Sequence, residues 1–286
     1  MKIKDITNCI EDLAPLSYAE DFDNVGLLIG DYNTKVTGVL VTLDTLEATI
    51  DEAIEKKCNL IVSFHPIIFG GLKKLNGTNY VERVVLKAIK NDIAIYATHT
   101  ALDNSNNGVS AKMCTVLGLQ NPQILIPKKG IIKKLTTFVP TENATNLKNV
   151  LFAVDAGNIG NYKECSFTTT GIGTFKGKEN SNPVIGKKGT LTTVEESKIS
   201  ITFEAHLERN ILKTLHQNHP YEEVAYEIST LDNIHQQVGM GMIGEFSEAM
   251  SEADFLQFVK KTMKTDCIRH SETLGKPIKK VAVLGG

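Results

Sequence analysis

Two histidines and one aspartate open the chemical reading: His65 in "LIVSFHPIIFGG", and His99 with Asp103 in "THTALD". Neutral imidazole and carboxylate together hold zinc, iron or manganese, and such a site needs ligands gathered from separate stretches onto a rigid sheet edge. The competing reading makes both imidazoles ordinary half-buried strand-end groups, with Asp103 a turn or cap residue ahead of Gly108. A second group, Asp21, Asp23 and Asn24 in "AEDFDNVGLLIG", crowds before Gly26. These side chains suit a helix cap, a ligand-orienting role or the outer shell of a metal, against a turn closed by its own local hydrogen bonds. A third, His219 with Tyr221, Glu222 and Glu223 in "NHPYEEVAYE", offers acid/base groups. Consecutive Glu residues entering a strand point to opposite faces, however, so a subunit or domain contact competes with catalysis there. No Ser-His-Asp or Cys-His arrangement is legible. The glycines from Gly157 through Gly189 lack the order of a P-loop or dinucleotide fingerprint and read as turns and bulges.

The elements that must carry these residues follow from periodicity. "GVLVTLD" reads as a strand, "TLEATIDEAIEKK" as an amphipathic helix and "NLIVSF" as a second strand, which makes a βαβ unit. The pattern repeats through "NYVERVVLKAIKND" into the strand "IAIYATH" and the helix "GVSAKMCTVLG". Short unbroken apolar runs alternating with helices favour a parallel sheet buried on both faces. Parallel strands put their carboxyl ends on one edge, where open α/β sheets hold ligands, and His65, His99 and Asp103 all lie just past such ends.

Near Pro127 the texture changes. Strand "IIKKLTTFVP", helix "NATNLKNVLFAV", strand "TLTTVEESKISITFEA", helix "ERNILKTLHQN" and strand "VAYEISTL" follow. With the pairing of residues 162–175 left open, this is two βαβ units or a split version of them, and suits a ferredoxin-like α+β insert. The expected organisation is an α/β metal-binding domain at 1–128 and 246–286, interrupted by the insert at 129–245. After "GMGMIGEF" come a helix at 252–264 and the strand "KKVAVLGG". A strand closing on two glycines normally opens a turn into a helix, so a fragment, or a first domain short of its closing half, is the expectation. Left unpaired, that strand would expose an apolar edge.

Bulk composition narrows the function. The chain has 286 residues, 42% of them hydrophobic, enough for a core and more than the usual single domain. A net charge of -2, with Lys128, Lys129, Lys133 and Lys134 the nearest thing to a basic patch, disfavours nucleic acid as a partner. No apolar run is long enough to span a membrane, and "KIKDITNCIEDL" lacks a signal-peptide core, so a cytoplasmic location is expected. The five cysteines, Cys9, Cys58, Cys114, Cys165 and Cys267, are scattered without a CxxC pair and read as reduced thiols.

Taken together, "EDFDNVGLLIG", "NLIVSFHPIIF", "ATHTALDN" and "GVS", followed by "AGNIGNYKECSFTTTGIGTF", "NPVIGKKG" and "HPYEEVAYEI", resemble the Nif-three-like dinuclear-metal proteins, often named GTP cyclohydrolase I type 2 homologues. The resemblance implies an α/β metal domain, a ferredoxin-like insert related to trimeric signalling proteins, and a homohexamer with metal pairs facing an inner cavity. It implies His65 and Asp103 as metal ligands, with His99, Asp23 and Asn24 near the site, and up to two zinc, iron or manganese ions per subunit. Phe64 stands where the family usually has the first of two adjacent histidines, and the family's closing Gly-His-x-x-x-Glu segment would lie beyond Gly286. Either departure lowers the ligand count, and a catalytic site normally offers three or more protein ligands. Two function classes follow: a metal-dependent hydrolase of a nucleotide or phosphate ester, and a non-catalytic metal-binding scaffold or regulator. Substrate and catalytic residues are not named by the sequence.

Overall fold

Short apolar runs without polar alternation, such as Leu60–Ser63 and Ala94–Ala97, form strands buried on both faces, as a sheet covered by helices requires. In chain order the elements are α1 (Ile3–Leu13), β1 (Gly26–Ile29), β2 (Val39–Thr42), α2 (Glu47–Glu55), β3 (Leu60–Ser63), α3 (Tyr80–Lys90), β4 (Ala94–Ala97), α4 (His99–Asp103), α5 (Val109–Val116) and β5 (Gln120–Lys129). Then come β6 (Ile132–Pro140), α6 (Ala144–Phe152), β7 (Phe167–Lys176), β8 (Leu191–Glu204), α7 (Glu208–Asn218), β9 (Tyr226–Leu231), β10 (Ile234–Met250), α8 (Glu252–Thr262) and β11 (Ile278–Val283). The computed structural model describes residues 1–285 of this mixed α/β chain. They divide into two compact units, one of Met1–Pro127 with the stretch from Gln236 onward, the other of Lys128–His235.

In the first unit the sheet order is β1-β4-β3-β2. β2, β3 and β4 run parallel, with Thr42 level with Ser63 and Ser63 level with Ala97. β1 joins antiparallel to β4, so the strand-like "LLIG" adds an antiparallel edge to the expected parallel sheet. Helix α3 starts where the Asn79 side chain accepts the Glu82 N–H at 2.9 Å, with Lys87 and Lys90 in its last turn to complement its dipole. Its apolar stripe, Val84, Val85 and Ala88, packs with Ile50 and Ala53 of α2 against Ile61 and Ile95 of the sheet. On another cluster, Ile3 of α1 meets Leu60, Ala94 and Tyr96.

A separate sheet in this unit has the order β11-β10-β5. The stretch "GMGMIGEF", for which periodicity named no element, lies within the long strand β10, and β11 pairs antiparallel with it from Met242↔Val283 to Glu245↔Lys280. The closing strand therefore has a partner within the chain. Broken strand alternation hides β10: Gly239 and Gly241 sit at positive φ and interrupt the period-two pattern.

The second unit is an antiparallel sheet of order β7-β8-β6-β9. Leu147 and Leu151 of α6 and Ile211 and Leu215 of α7 share one core with Leu135, Ile199, Ile201 and Phe203 of the sheet. The open pairing of residues 162–175 is settled by β7, which runs antiparallel to β8 from Phe167↔Ser200 to Lys176↔Leu191.

Candidate metal centre

Register brings the site together. Because Thr42, Ser63 and Ala97 are level, the residues two beyond them, Asp44, His65 and His99, leave the sheet edge side by side. Backbone pairing continues past the strand ends to hold them, with the His65 N–H on the Leu43 carbonyl at 3.0 Å and the His99 N–H on the Phe64 carbonyl at 2.9 Å. The two imidazoles stand 5.5 Å apart, centroid to centroid, each meeting the Phe64 ring edge-on at 5.0 and 5.6 Å.

Each imidazole is steered by its own carboxylate. His65 Nδ1 donates to Asp44 Oδ1 and His99 Nδ1 to Asp23 Oδ1, both at 2.7 Å. Asp23 is fully buried at its side chain. It also accepts the Thr100 backbone N–H at 3.0 Å, the Thr100 hydroxyl, and the Asn24 N–H. Burial works to raise its pKa, but the bonds from Thr100, His99 and Asn24 outweigh that and hold it below the ordinary carboxylate range. Asn24 secures the turn from the other side by donating to the Ile68 carbonyl at 2.6 Å. The price of this arrangement is local: His99 adopts φ +26°, an uncommon value for a residue with a Cβ, and the surrounding bonds over-determine it. Asp21 is exposed and lies outside the network.

Asp103, at the end of α4, is the odd member. It is 7% exposed, and its Oδ1 has no hydrogen-bond partner. Burial raises its pKa; the His99 and His65 charges pull it down and Asp23 pushes it up, which places all three within electrostatic reach. Gly285 approaches so closely that a Cβ there would sit 2.6 Å from that oxygen.

The donor set suits a divalent transition ion in kind. An imidazole whose Nδ1–H is committed to a carboxylate presents Nε2 as the lone-pair donor, the arrangement that fixes metal-binding histidines, and an orphaned buried carboxylate oxygen lacks only a cation. In number it is thinner: among the described residues no three His, Cys, Asp or Glu converge on one metal position. Phe64 packs beside both imidazoles with a ring that cannot ligate. Sequence reasoning missed Asp44 and Thr100. Asp44 was findable, since it ends the first parallel strand as His65 ends the second; Thr100 required the fold.

The third sequence candidate is structural at its histidine. His219 Nε2 donates to the Phe138 carbonyl at 2.9 Å while Nδ1 accepts the Tyr221 N–H at 3.1 Å, and the ring is 8% exposed. Both nitrogens are used in the neutral form, and protonation would oppose two N–H groups across one bond. Burial lowers the His219 pKa from 6.5, and burial lowers that of His206 likewise. The unfolded chain thus binds more protons than the folded one below that value, so stability is full above pH 6.5 and falls as pH drops toward the folded pKa. Urea midpoints measured between pH 7.5 and 5 are expected to decline with acid, roughly as linkage requires. His219→Gln is expected to flatten that slope; an unchanged slope would remove His219 from the account.

Comparison with known proteins places this geometry. The Duf34/NIF3 (NGG1p interacting factor 3) family model matches residues 1–286. A Bacillus subtilis protein named GTP cyclohydrolase 1 type 2 homolog is 37% identical over 282 residues, covering 98% of this chain and 76% of the relative. Its namesake from Halalkalibacterium halodurans is 39% identical over the same shares. Among solved structures, a Bacillus cereus protein related to NIF3 superposes with a TM-score of 0.84 at 38% identity, over 100% of this chain and 77% of that one.

Proposed function

The chain belongs to the Duf34/NIF3 family, and on that footing we propose that it binds zinc, iron or manganese through His65 and Asp103 and hydrolyses a nucleotide or phosphate ester there. The observation that carries this reading is the buried, unpartnered Oδ1 of Asp103 beside two carboxylate-steered imidazoles. A bound ion would supply the chemistry, polarising a substrate oxygen and acidifying a water. The chain's own groups do the positioning. Asp44 and Asp23 fix the tautomer and tilt of His65 and His99; Phe64 and Phe69, the latter 6.3 Å from His99, wall the imidazoles with hydrocarbon.

A non-catalytic metal-binding scaffold is the second reading, favoured by Phe64 and by the small number of converging ligands. Assembly as a homo-oligomer, a hexamer by resemblance, is part of the proposal. It is supported by large apolar side chains left exposed on the first unit, Phe22 at 66%, Val41 at 75% and Leu43 at 60%. Among the described residues no helix is long and apolar enough to cross a membrane; a cytoplasmic location is part of the proposal.

Metal analysis of the purified protein is expected to find a bound transition ion that His65→Ala releases. Turnover of GTP and of a generic phosphodiester with added manganese or zinc then separates the classes: activity that follows metal occupancy supports the hydrolase, and metal binding without turnover supports the scaffold. Equal, negligible metal in wild type and variant would end both.

A further inference from the structure

Helix α4, which carries His99 at its start and Asp103 at its end, is five residues long. A helix of little more than one turn does not hold itself in water, because ordering its nucleus costs more than its few bonds return. Something outside the helix must fix it, and the bonds at its two ends identify what does.

At the first turn the Thr100 N–H and hydroxyl bond to Asp23. At the last turn the residue beyond Asp103 takes over. Asn104 is 1% exposed, and its Nδ2 donates to the Tyr18 carbonyl at 2.7 Å and to Glu20 Oε1 at 2.6 Å. Its backbone is engaged as well, the N–H on the Thr100 carbonyl at 3.0 Å and the carbonyl accepting the Gly239 N–H of β10 at 2.9 Å. Both hydrogens of a buried amide are thereby used, one of them on a carboxylate, the stronger kind of acceptor.

Glu20 joins the two ends. Its N–H donates to Thr100 Oγ1 at 3.0 Å, its carbonyl accepts the Asp23 N–H at 3.0 Å, and its carboxylate accepts from Asn104. One residue thus touches the first turn of α4, the turn that carries Asp23, and the last turn of α4. If one of these shifts, the other two must follow or a polar group loses its partner, which is costly where it is buried. Asp103 Oδ1 has no hydrogen bond of its own to aim it, so its placement is inherited from the α4 backbone that Asn104 pins.

We propose that Glu20 and Asn104 are positioning residues of the metal centre, holding His99, Asp23 and Asp103 in one frame. The inference rests on the metal reading of that site for its consequence, and on the hydrogen bonds alone for its geometry.

Hydrogen exchange on the metal-free protein and zinc titration of the full chain test this together. In Glu20→Ala the Thr100 and Asn104 amides are expected to exchange at least about tenfold faster, while those of β3 keep their wild-type rates, since only the local frame loosens. Zinc affinity is expected to fall roughly 10- to 100-fold, the range for a residue that orients ligands. Glu20→Gln keeps the accepting oxygen and should rescue most of both losses. Asn104→Asp sets two carboxylates against each other and should be worse than Glu20→Ala. Adding Glu20→Gln to it restores an N–H···O bond with donor and acceptor exchanged, and should recover most of the loss. A residue that only supports the fold would lower the urea midpoint and leave the zinc affinity of the folded protein unchanged. The inference is overturned by unchanged Thr100 and Asn104 exchange in Glu20→Ala, by exchange that rises equally in β3, by a double variant no better than Asn104→Asp, or by wild-type zinc affinity in Glu20→Ala. A wild type that binds neither zinc nor manganese ends the metal reading instead, and the exchange rates then decide whether Glu20 and Asn104 hold His99 and Asp103 together.

Discussion

Replacing Asp103 by asparagine is expected to lower divalent-metal affinity more than about 100-fold, beyond the 10- to 100-fold typical of a supporting residue, while making the metal-free protein more stable. The two effects have one cause. Oδ1 of Asp103 is buried without a hydrogen-bond partner, and burial already raises its pKa, so in the absence of a cation the ionised carboxylate is an uncompensated charge. An amide of the same shape removes the charge and relieves about 1 kcal/mol or more. It also removes the strongest hard donor at the site. Urea denaturation with a chelator present reads the gain in stability, and metal retention through dialysis reads the loss of affinity. A variant that loses metal and stability together would mean that Asp103 is a structural group with a partner unseen here, and would end its assignment as a ligand.

How much of this was legible beforehand depends on range. The βαβ rhythm places β2, β3 and β4 within a residue or two, and the shared edge of parallel strands anticipates that His65 and His99 stand side by side. That inference worked because register in a parallel sheet is set by neighbouring segments, each short and strongly patterned. What failed to show was long-range. The antiparallel seat of β1 depends on a strand 71 positions away in sequence, Gly26 opposite Ala97. Asp23 reaches Thr100 across 77 positions, and nothing in "DFDNVG" announces that its carboxylate will be the floor of a site rather than the hub of a local turn. Phe64 was noticed as a departure, but its consequence, a ring meeting both imidazoles edge-on, needed the packed edge.

Asp23→Ala and Asp44→Ala form the second test, because two bonds of equal length are expected to differ several-fold in energetic weight. Each carboxylate meets an imidazole Nδ1 at 2.7 Å. Around Asp44 the pair is open to solvent, with side chains 42% and 53% exposed at His65 and Asp44, so water replaces what mutation removes and stability should change by only about 0–1 kcal/mol. Around Asp23 the exposure is 17% at His99 and none at the carboxylate. Truncation there strands the His99 ring, the Thr100 N–H and hydroxyl, and the Asn24 N–H around a buried position, and is expected to cost about 3–5 kcal/mol. It should also release His99 from its φ of +26°, which those bonds enforce. Function should sort the other way: Asp44→Ala, folded as wild type, is expected to lose roughly 10- to 100-fold in metal affinity by freeing the tautomer and tilt of His65. Urea midpoints and metal titrations on the two variants separate these roles. Similar destabilisation by both would show that burial does not set the strength of these pairs, and unchanged metal affinity in Asp44→Ala would show that the orientation of His65 is fixed by Phe64 and the backbone alone.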